Sequence, residues 1–393
     1  MYSAIWAYPW DFIDEGYDSA LGRIADSGVD AVSVAVAYHS IRSLCPHNPR
    51  RAVYHGEGGV VYFKPDPTAF EGALKPVKSN LLSDGDPLSA LCAAAGKRGI
   101  KVHAWTVVTH NTRLGTANPE MSIVNAFGDR YPFGLCPANP DVRSYAVGLV
   151  KSLAARSDLA TIELESLGYM GIDHTGHHSK AGIDLDELHR YLLSVCFCPH
   201  CAARMTANGV NVRSACDGIV REMRGYFGGR FTESRDDPLG ALSEILGAEN
   251  AEGLVAARNE TVLTLMEELF WLIQKPQSLS VMVSASPLTT GAMAGVTISE
   301  ARQWTDRLLV QAFRSKPTEI HDVISDVAVR RGSTPVFAGL QAIVPFVRSA
   351  GDLTTSALAA REAGADGLQF YHYGLMPLAN LEWVKQALAA VNG

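Results

Sequence analysis

TIELESLGYMGIDHTGHH, residues 161–178, is the stretch whose reading decides the fold. It opens as a strand, because Ile162 and Leu164 fall on one face and Glu163 and Glu165 on the other. Two carboxylates on the inner side of an apolar strand are costly to bury unless they have a partner or a task. The strand runs into a loop carrying Tyr169, Asp173, His174, His177 and His178. The plain reading is a buried Glu paired to a base, followed by a polar loop. The sharper reading puts Glu165 at the mouth of a barrel, Glu163 deeper on the same face, and the loop as the wall.

Working outward, seven further runs look like strands: residues 4–8, 31–39, 101–109, 279–286, 307–313, 335–341 and 367–371. Helical patterns separate most of them, at 17–27, 87–98, 141–156, 318–331, 353–363 and 380–391. Gly28, Gly99, Gly332 and Gly364 stop helices ahead of the next strand. Alternation of this kind implies parallel pairing, and eight units imply a closed (β/α)8 TIM barrel spanning 1–393 as one domain. Two connections are long. Residues 40–87 contain YHGEGGVVYF, which predicts a small hairpin turning at Gly58-Gly59. Residues 168–276, between strands four and five, predict a helical insertion with helices near 184–195, 215–227 and 251–274. Both enlarged loops follow strands, where barrel enzymes keep their sites.

The chain has 393 residues, 47% of them hydrophobic, and a formal charge of −7 with no basic run. Nucleic acid and anionic membranes are therefore poor partners. No apolar stretch reaches the length of a membrane span. MYSAIWAYPWDF has no signal-peptide layout, so a cytoplasmic location is expected. The seven cysteines fit reduced or metal-bound thiols better than a disulfide framework. Phe270, Trp271 and Leu272 would suit either an internal contact or a homo-oligomer.

The inward faces of the strands collect Trp6, Tyr8, His39, Trp105, Glu165, Ser284, Ser286, Gln311, Gln341, Gln369 and Tyr371. A structural interior would be layers of Val, Ile and Leu. Amides and hydroxyls suit a polyhydroxylated ligand, and Trp6, Tyr8, Trp10 and Trp105 offer flat faces for sugar rings. Each aromatic taken singly reads equally well as core. Arg42, His110, Asn111 and His372, with His174, His177 and His178, join the expected binding set. No GxxxxGK[ST] and no GxGxxG after a strand is present, so a nucleotide is not expected.

Two motifs carry a resemblance. LCPANPDVRSYAVGLVKSLA, ahead of strand four, resembles the NPxVRxY lead-in of glycoside-hydrolase-like TIM barrels, with Asn139, Pro140 and Arg143 matching. In those proteins the next strand ends in an acid, the place Glu165 holds here. CFCPHCAARM, with Cys196, Cys198 and Cys201, is similar to the zinc-binding loop of family 42 β-galactosidases. Three thiolates within six residues can wrap one tetrahedral ion, with Cys136, Cys45 or Cys216 as fourth ligand; otherwise they are reduced thiols at a helix start. The chain departs from the retaining sugar hydrolases at strand seven, where Gln341 stands in place of a second carboxylate. Glu163, Asp11, Glu57, Asp173 and Glu300 remain open as the second acid.

The expectation is a carbohydrate-active enzyme that hydrolyses a glycosidic bond. Glu165 would be the general acid/base, Glu163 and Asp173 further catalytic candidates, and a small saccharide or glycoside the partner. No cofactor is expected to be required for catalysis, and a zinc on the cysteines would be structural. One alternative is a sugar isomerase, epimerase or lyase using Mn²⁺, Co²⁺ or Zn²⁺ on His39, His110, Glu165, His174, His177, His178 and His372. The other is a barrel that binds a saccharide without turnover.

Overall fold

The eight runs form eight strands: β1 (Tyr2–Ala7), β2 (Ala31–Tyr38), β3 (Lys101–Val107), β4 (Thr161–Glu165), β5 (Ser278–Ser284), β6 (Arg307–Gln311), β7 (Val336–Gln341) and β8 (Gly367–Tyr371). The computed structural model describes residues 1–173, 180–231 and 237–393. Each strand pairs in parallel with the next in chain order, and β8 pairs back onto β1. The sheet therefore closes as a (β/α)8 barrel.

Period-two alternation sorts the side chains into two cores. Ile5, Val32, Val34, Ile162, Leu164, Val281, Leu308 and Leu368 face outward and pack with the helices. Trp6, Trp105, Met282, Leu309 and Phe337 form a separate inner cluster with Tyr8 and Tyr38. Rings this large fit only where other strands give up a side chain. A Cβ on Gly339 would lie 2.8 Å from the Trp6 ring, and one on Gly367 would lie 2.3 Å from the Phe337 ring. Gly367→Ala is therefore expected to overpack the interior and cost about 1–3 kcal/mol. Urea unfolding measures this; an unchanged midpoint would mean that Phe337 moves aside freely.

The base of the barrel repeats one clamp three times. Asp30, Asp306 and Asp366 stand directly before β2, β6 and β8. Their Oδ2 atoms accept the backbone N–H of Ser3, Leu279 and Val336 on the preceding strands, at 2.8, 2.9 and 2.8 Å. The lead-in motif is also structural. Asn139 Oδ1 accepts from Asp141 N at 2.9 Å and caps the helix Pro140–Ala154. Arg143 ties that helix to Ala248–Phe270 through Thr261 O at 3.1 Å and Glu268 at 2.9 Å.

Among the described residues five helices lie between β4 and β5, where two or three were expected: Glu187–Ser194, Pro199–Ala207, Val212–Phe227, Pro238–Leu246 and Ala248–Phe270. The two additional ones are short and start at a proline. The β2–β3 connection also differs. Its hairpin pairs Ile41–Leu44 with Val53–Gly56, so the turn precedes Gly58-Gly59. Gly59, at φ +65°, instead turns the chain back so that Val60–Val61 pairs antiparallel with the end of β2. Trp271 is exposed and meets Phe270 and Trp304 edge-on, while Phe270 and Leu272 also pack against the core. Among the described residues no helix is long and apolar enough to cross a membrane.

Candidate active site

Glu165 is the last residue of β4, with its side chain turned into the barrel mouth. Trp105 Nε1 donates to its Oε2 at 2.5 Å. No cation pairs with it among the described residues, and it is buried, with 7% of its surface exposed. Burial, reinforced by the charge of Glu163, raises its carboxyl to about 7 against the Trp105 hydrogen bond.

Glu163 sits two residues deeper and is fully buried. Trp6 Nε1 donates to Oε1 at 2.7 Å and Gln369 Nε2 to Oε2 at 2.8 Å. Burial raises it also to about 7, opposed by those bonds and by the more distant charge of Arg307. Both of its oxygens are engaged from within the protein, so its effect at the mouth is electrostatic.

Three tyrosines stand at the level of Glu165. Tyr8 Oη lies 3.4 Å from Tyr38 Oη and 3.3 Å from Tyr371 Oη. Burial pushes all three phenols up, so they stay neutral donors at neutral pH. Tyr38 also meets Trp105 edge-on, with ring centres 4.7 Å apart. Tyr38 was absent from the expected set for a physical reason. Strict alternation from Val32, Val34 and Val36 turns it outward, but a bulge at Ala35/Ala37 shifts the register and turns it in.

The other expected residues divide by depth. Gln341 and Tyr371 are half-buried at the ends of β7 and β8, and Gln341 Oε1, itself buried, accepts no hydrogen bond among the described residues. Gln311, at the end of β6, donates to Met282 Sδ at 3.0 Å. His39 stacks on Tyr38 and on His110, both with centres 4.2 Å apart. Trp6 and Gln369 lie below the mouth, while Trp10 and His372 follow the ends of β1 and β8 and are buried. Trp10 stacks on Tyr8 at 4.4 Å, and His372 lies 4.0 Å from Tyr8 and accepts Gly374 N at 3.1 Å. Burial keeps His372 neutral. Asn111 caps the helix Thr112–Ala117 through Leu114 N at 2.9 Å. Arg42 is exposed on the hairpin. Asp173 forms an exposed ion pair with Arg190. Of the remaining acids, Asp11 accepts Tyr8 N at 2.8 Å, Glu57 holds Ser79 and Asn80, and Glu300 holds Asn259. His174, His177 and His178 lie outside the described residues.

Beside this mouth the four thiols of Cys136, Cys196, Cys198 and Cys201 come together, all buried. Cys136 Sγ lies 3.8, 3.6 and 3.4 Å from the other three. A tetrahedral zinc with Zn–S of about 2.3 Å sets its sulfurs about 3.8 Å apart, so the four fit one ion. Cys136 is thus the fourth member; Cys45 hydrogen-bonds within its own turn and Cys216 contacts Ala126 O at 3.3 Å. Tyr169 Oη lies 3.4 Å from Cys201 Sγ, and the Arg258 guanidinium lies over the Tyr169 ring. The cluster therefore fastens the insertion to the loop that follows Glu165.

The fold is a closed (β/α)8 barrel. The solved structures that resemble it include α-L-fucosidase isoenzyme 2 from Paenibacillus thiaminolyticus (TM-score 0.57, 14% identity, 100% of this chain and 49% of that one). They include the catalytic domain of β-amylase from Paenibacillus polymyxa (0.56, 11%, 100% and 98%) and β-galactosidase from the psychrophilic Marinomonas ef1 (0.58, 9%, 100% and 59%). At these identities the likeness is one of fold, and the chain spans about half of the fucosidase. No family model and no curated protein matches the sequence.

Proposed function

We propose that the protein hydrolyses a glycosidic bond in a small saccharide or glycoside, with Glu165 as general acid/base. One observation carries this: a carboxyl at the C-terminal end of β4, paired with no cation among the described residues, and raised by burial to about 7. At neutral pH a large share of it is protonated and can donate to a leaving oxygen. Trp105 Nε1 holds the carboxyl in place. The hydroxyls of Tyr38 and Tyr371 and the amide of Gln341 supply donors and acceptors for sugar hydroxyls. The fold shared with a fucosidase, an amylase and a galactosidase agrees with this reading.

The same reading gives the four cysteines a structural zinc, held by all four thiolates as a fixed cross-link with no part in the chemistry. Seven free cysteines favour a reducing, cytoplasmic setting.

The pH profile of kcat/KM on a glycoside with a poor leaving group tests the acid. Its alkaline limb is expected near pH 7, because activity needs the protonated form and is lost as pH rises through that value. A limb near the ordinary carboxylate range would remove Glu165 from the role. A second reading, saccharide binding without turnover, is favoured by Gln341 at β7 and by the two engaged oxygens of Glu163. Saturable heat on sugar titration with no released product would establish it.

A further inference from the structure

The opposite end of the barrel carries a feature that sugar hydrolysis does not use. A cleft of about 530 Å³ opens at the N-terminal ends of β3 to β6, lined by Tyr2, Lys101, Ser278 and Arg307 among others. Arg307 begins β6 and turns inward, its guanidinium 5.0 Å from the centre of the Tyr2 ring and 4.9 Å from that of Phe337. Those faces fix it in place without neutralising it. Among the described residues neither Arg307 nor Lys101 belongs to an ion pair, while the acids around the rim are taken. Asp158, in the cleft wall, pairs with Arg156 at 2.9 Å. Asp306 pairs with Lys275 and accepts Leu279 N, and Asp30 accepts Ser3 N and Oγ. Tyr2 Oη reaches His103 Nε2 at 2.9 Å, and burial, then Arg307, keeps that imidazole neutral. The cleft therefore presents two cations that belong to no ion pair among the described residues, beside the hydroxyls of Tyr2, which meets His103, and Ser278, which meets Thr161 Oγ1 at 2.9 Å, in a chain whose overall charge is −7.

We propose that this N-terminal cleft binds a small oxyanion, a phosphate group free or carried on an organic body, clasped by Arg307 and Lys101. A planar guanidinium held by rings matches an oxyanion through parallel N–H bonds, with Lys101 adding a second charge from the rim. The volume exceeds what a bare phosphate fills, leaving room for an attached body. The site is independent of what Glu165 does, so it stands or falls separately from the glycosidase reading.

Calorimetric titration of the full chain with inorganic phosphate and with glucose 6-phosphate, at low ionic strength, tests it. One saturable site is expected for at least one probe, and comparison of the two separates a free ion from an ester. Arg307→Met should weaken binding at least about tenfold, as loss of a charge-assisted bond implies, and Lys101→Met, on the exposed rim, should weaken it measurably. If Arg307→Met fails to fold, Arg307→Lys and Lys101→Met carry the test, and both must weaken binding. No binding of either probe to the wild type, or equal binding in every folded variant, overturns the proposal. Absence of glycosidase activity leaves it untouched.

Discussion

Glu165→Gln is expected to lower turnover of a glycoside with a poor leaving group by about 10²–10⁴-fold, the usual contribution of a positioned general acid. The loss should be smaller for an activated aryl glycoside, whose leaving group needs little protonation. That difference separates lost chemistry from lost folding. The amide keeps the volume of the side chain and can still accept from Trp105 Nε1. Stability should move the other way. The folded carboxyl titrates near 7 and its ordinary value is 4.5, so between those values the folded protein holds a proton that the unfolded chain releases. That contribution is complete below about 4.5 and is lost as pH rises through about 7. At pH 8 the wild type bears a buried charge that the variant lacks, and Glu165→Gln should be more stable, by on the order of 1–3 kcal/mol. Near pH 4 the two should unfold alike. Glu163→Gln is the contrasting control. Both oxygens of ionised Glu163 receive a donor, so above about pH 7 an amide there sets one N–H against another, costs about 1–3 kcal/mol, and offsets the relief of the buried charge. Near pH 4 the protonated carboxyl already sets its O–H against one of those donors, and the difference should shrink. Glycoside turnover and thermal unfolding at the two pH values measure all of this. Full activity of Glu165→Gln on the poor leaving group would end the acid/base assignment.

What could be read from the residues follows from what alternation encodes. Period two marks which face a side chain takes, and the outer faces of β2, β4, β5 and β6 are unbroken Val, Ile and Leu, so strands and barrel were legible. Alternation does not encode depth. Gln369 and Gln341 look equivalent along the chain, yet Gln369 holds Glu163 inside while Gln341 stands at the mouth. Trp6 likewise reads as a sugar platform but is consumed as a donor to Glu163. Tyr38 escaped because a bulge breaks the period on which its facing was judged. The clasp of Arg307 between Tyr2 and Phe337 was also hidden. The three lie on β6, β1 and β7, and the register that brings them together exists only after closure. The Asn139 cap, by contrast, depends on residues two and three positions away and needed no tertiary information.

Cys136→Ser is expected to release bound metal and cost several kcal/mol of stability, and it is the harsher test of the insertion. Three of the four sulfurs lie within residues 196–201, but Cys136 comes from the segment after β3, so the cluster joins two parts of the chain sixty or more residues apart. Around it, Phe197 N donates to Val124 O at 2.7 Å and Val124 N approaches Cys196 Sγ at 3.4 Å. Four buried thiols without an ion would have little to offset their desolvation and crowding. With zinc the same spacing becomes a set of metal–sulfur bonds, whose free energy adds directly to folding. Elemental analysis of the purified chain should find about one zinc per molecule in the wild type and in Cys216→Ser, whose thiol lies outside the cluster, and little in Cys136→Ser. A strong chelator should lower the unfolding temperature of the wild type and leave that of Cys136→Ser where it is. Because Tyr169 leans on Cys201 just beyond Glu165, loss of the metal should also loosen the wall of the mouth, raising KM for the glycoside more than it lowers kcat. A wild type free of metal that melts at the same temperature as Cys136→Ser would leave the four cysteines as packed thiols and the insertion held by its helices alone.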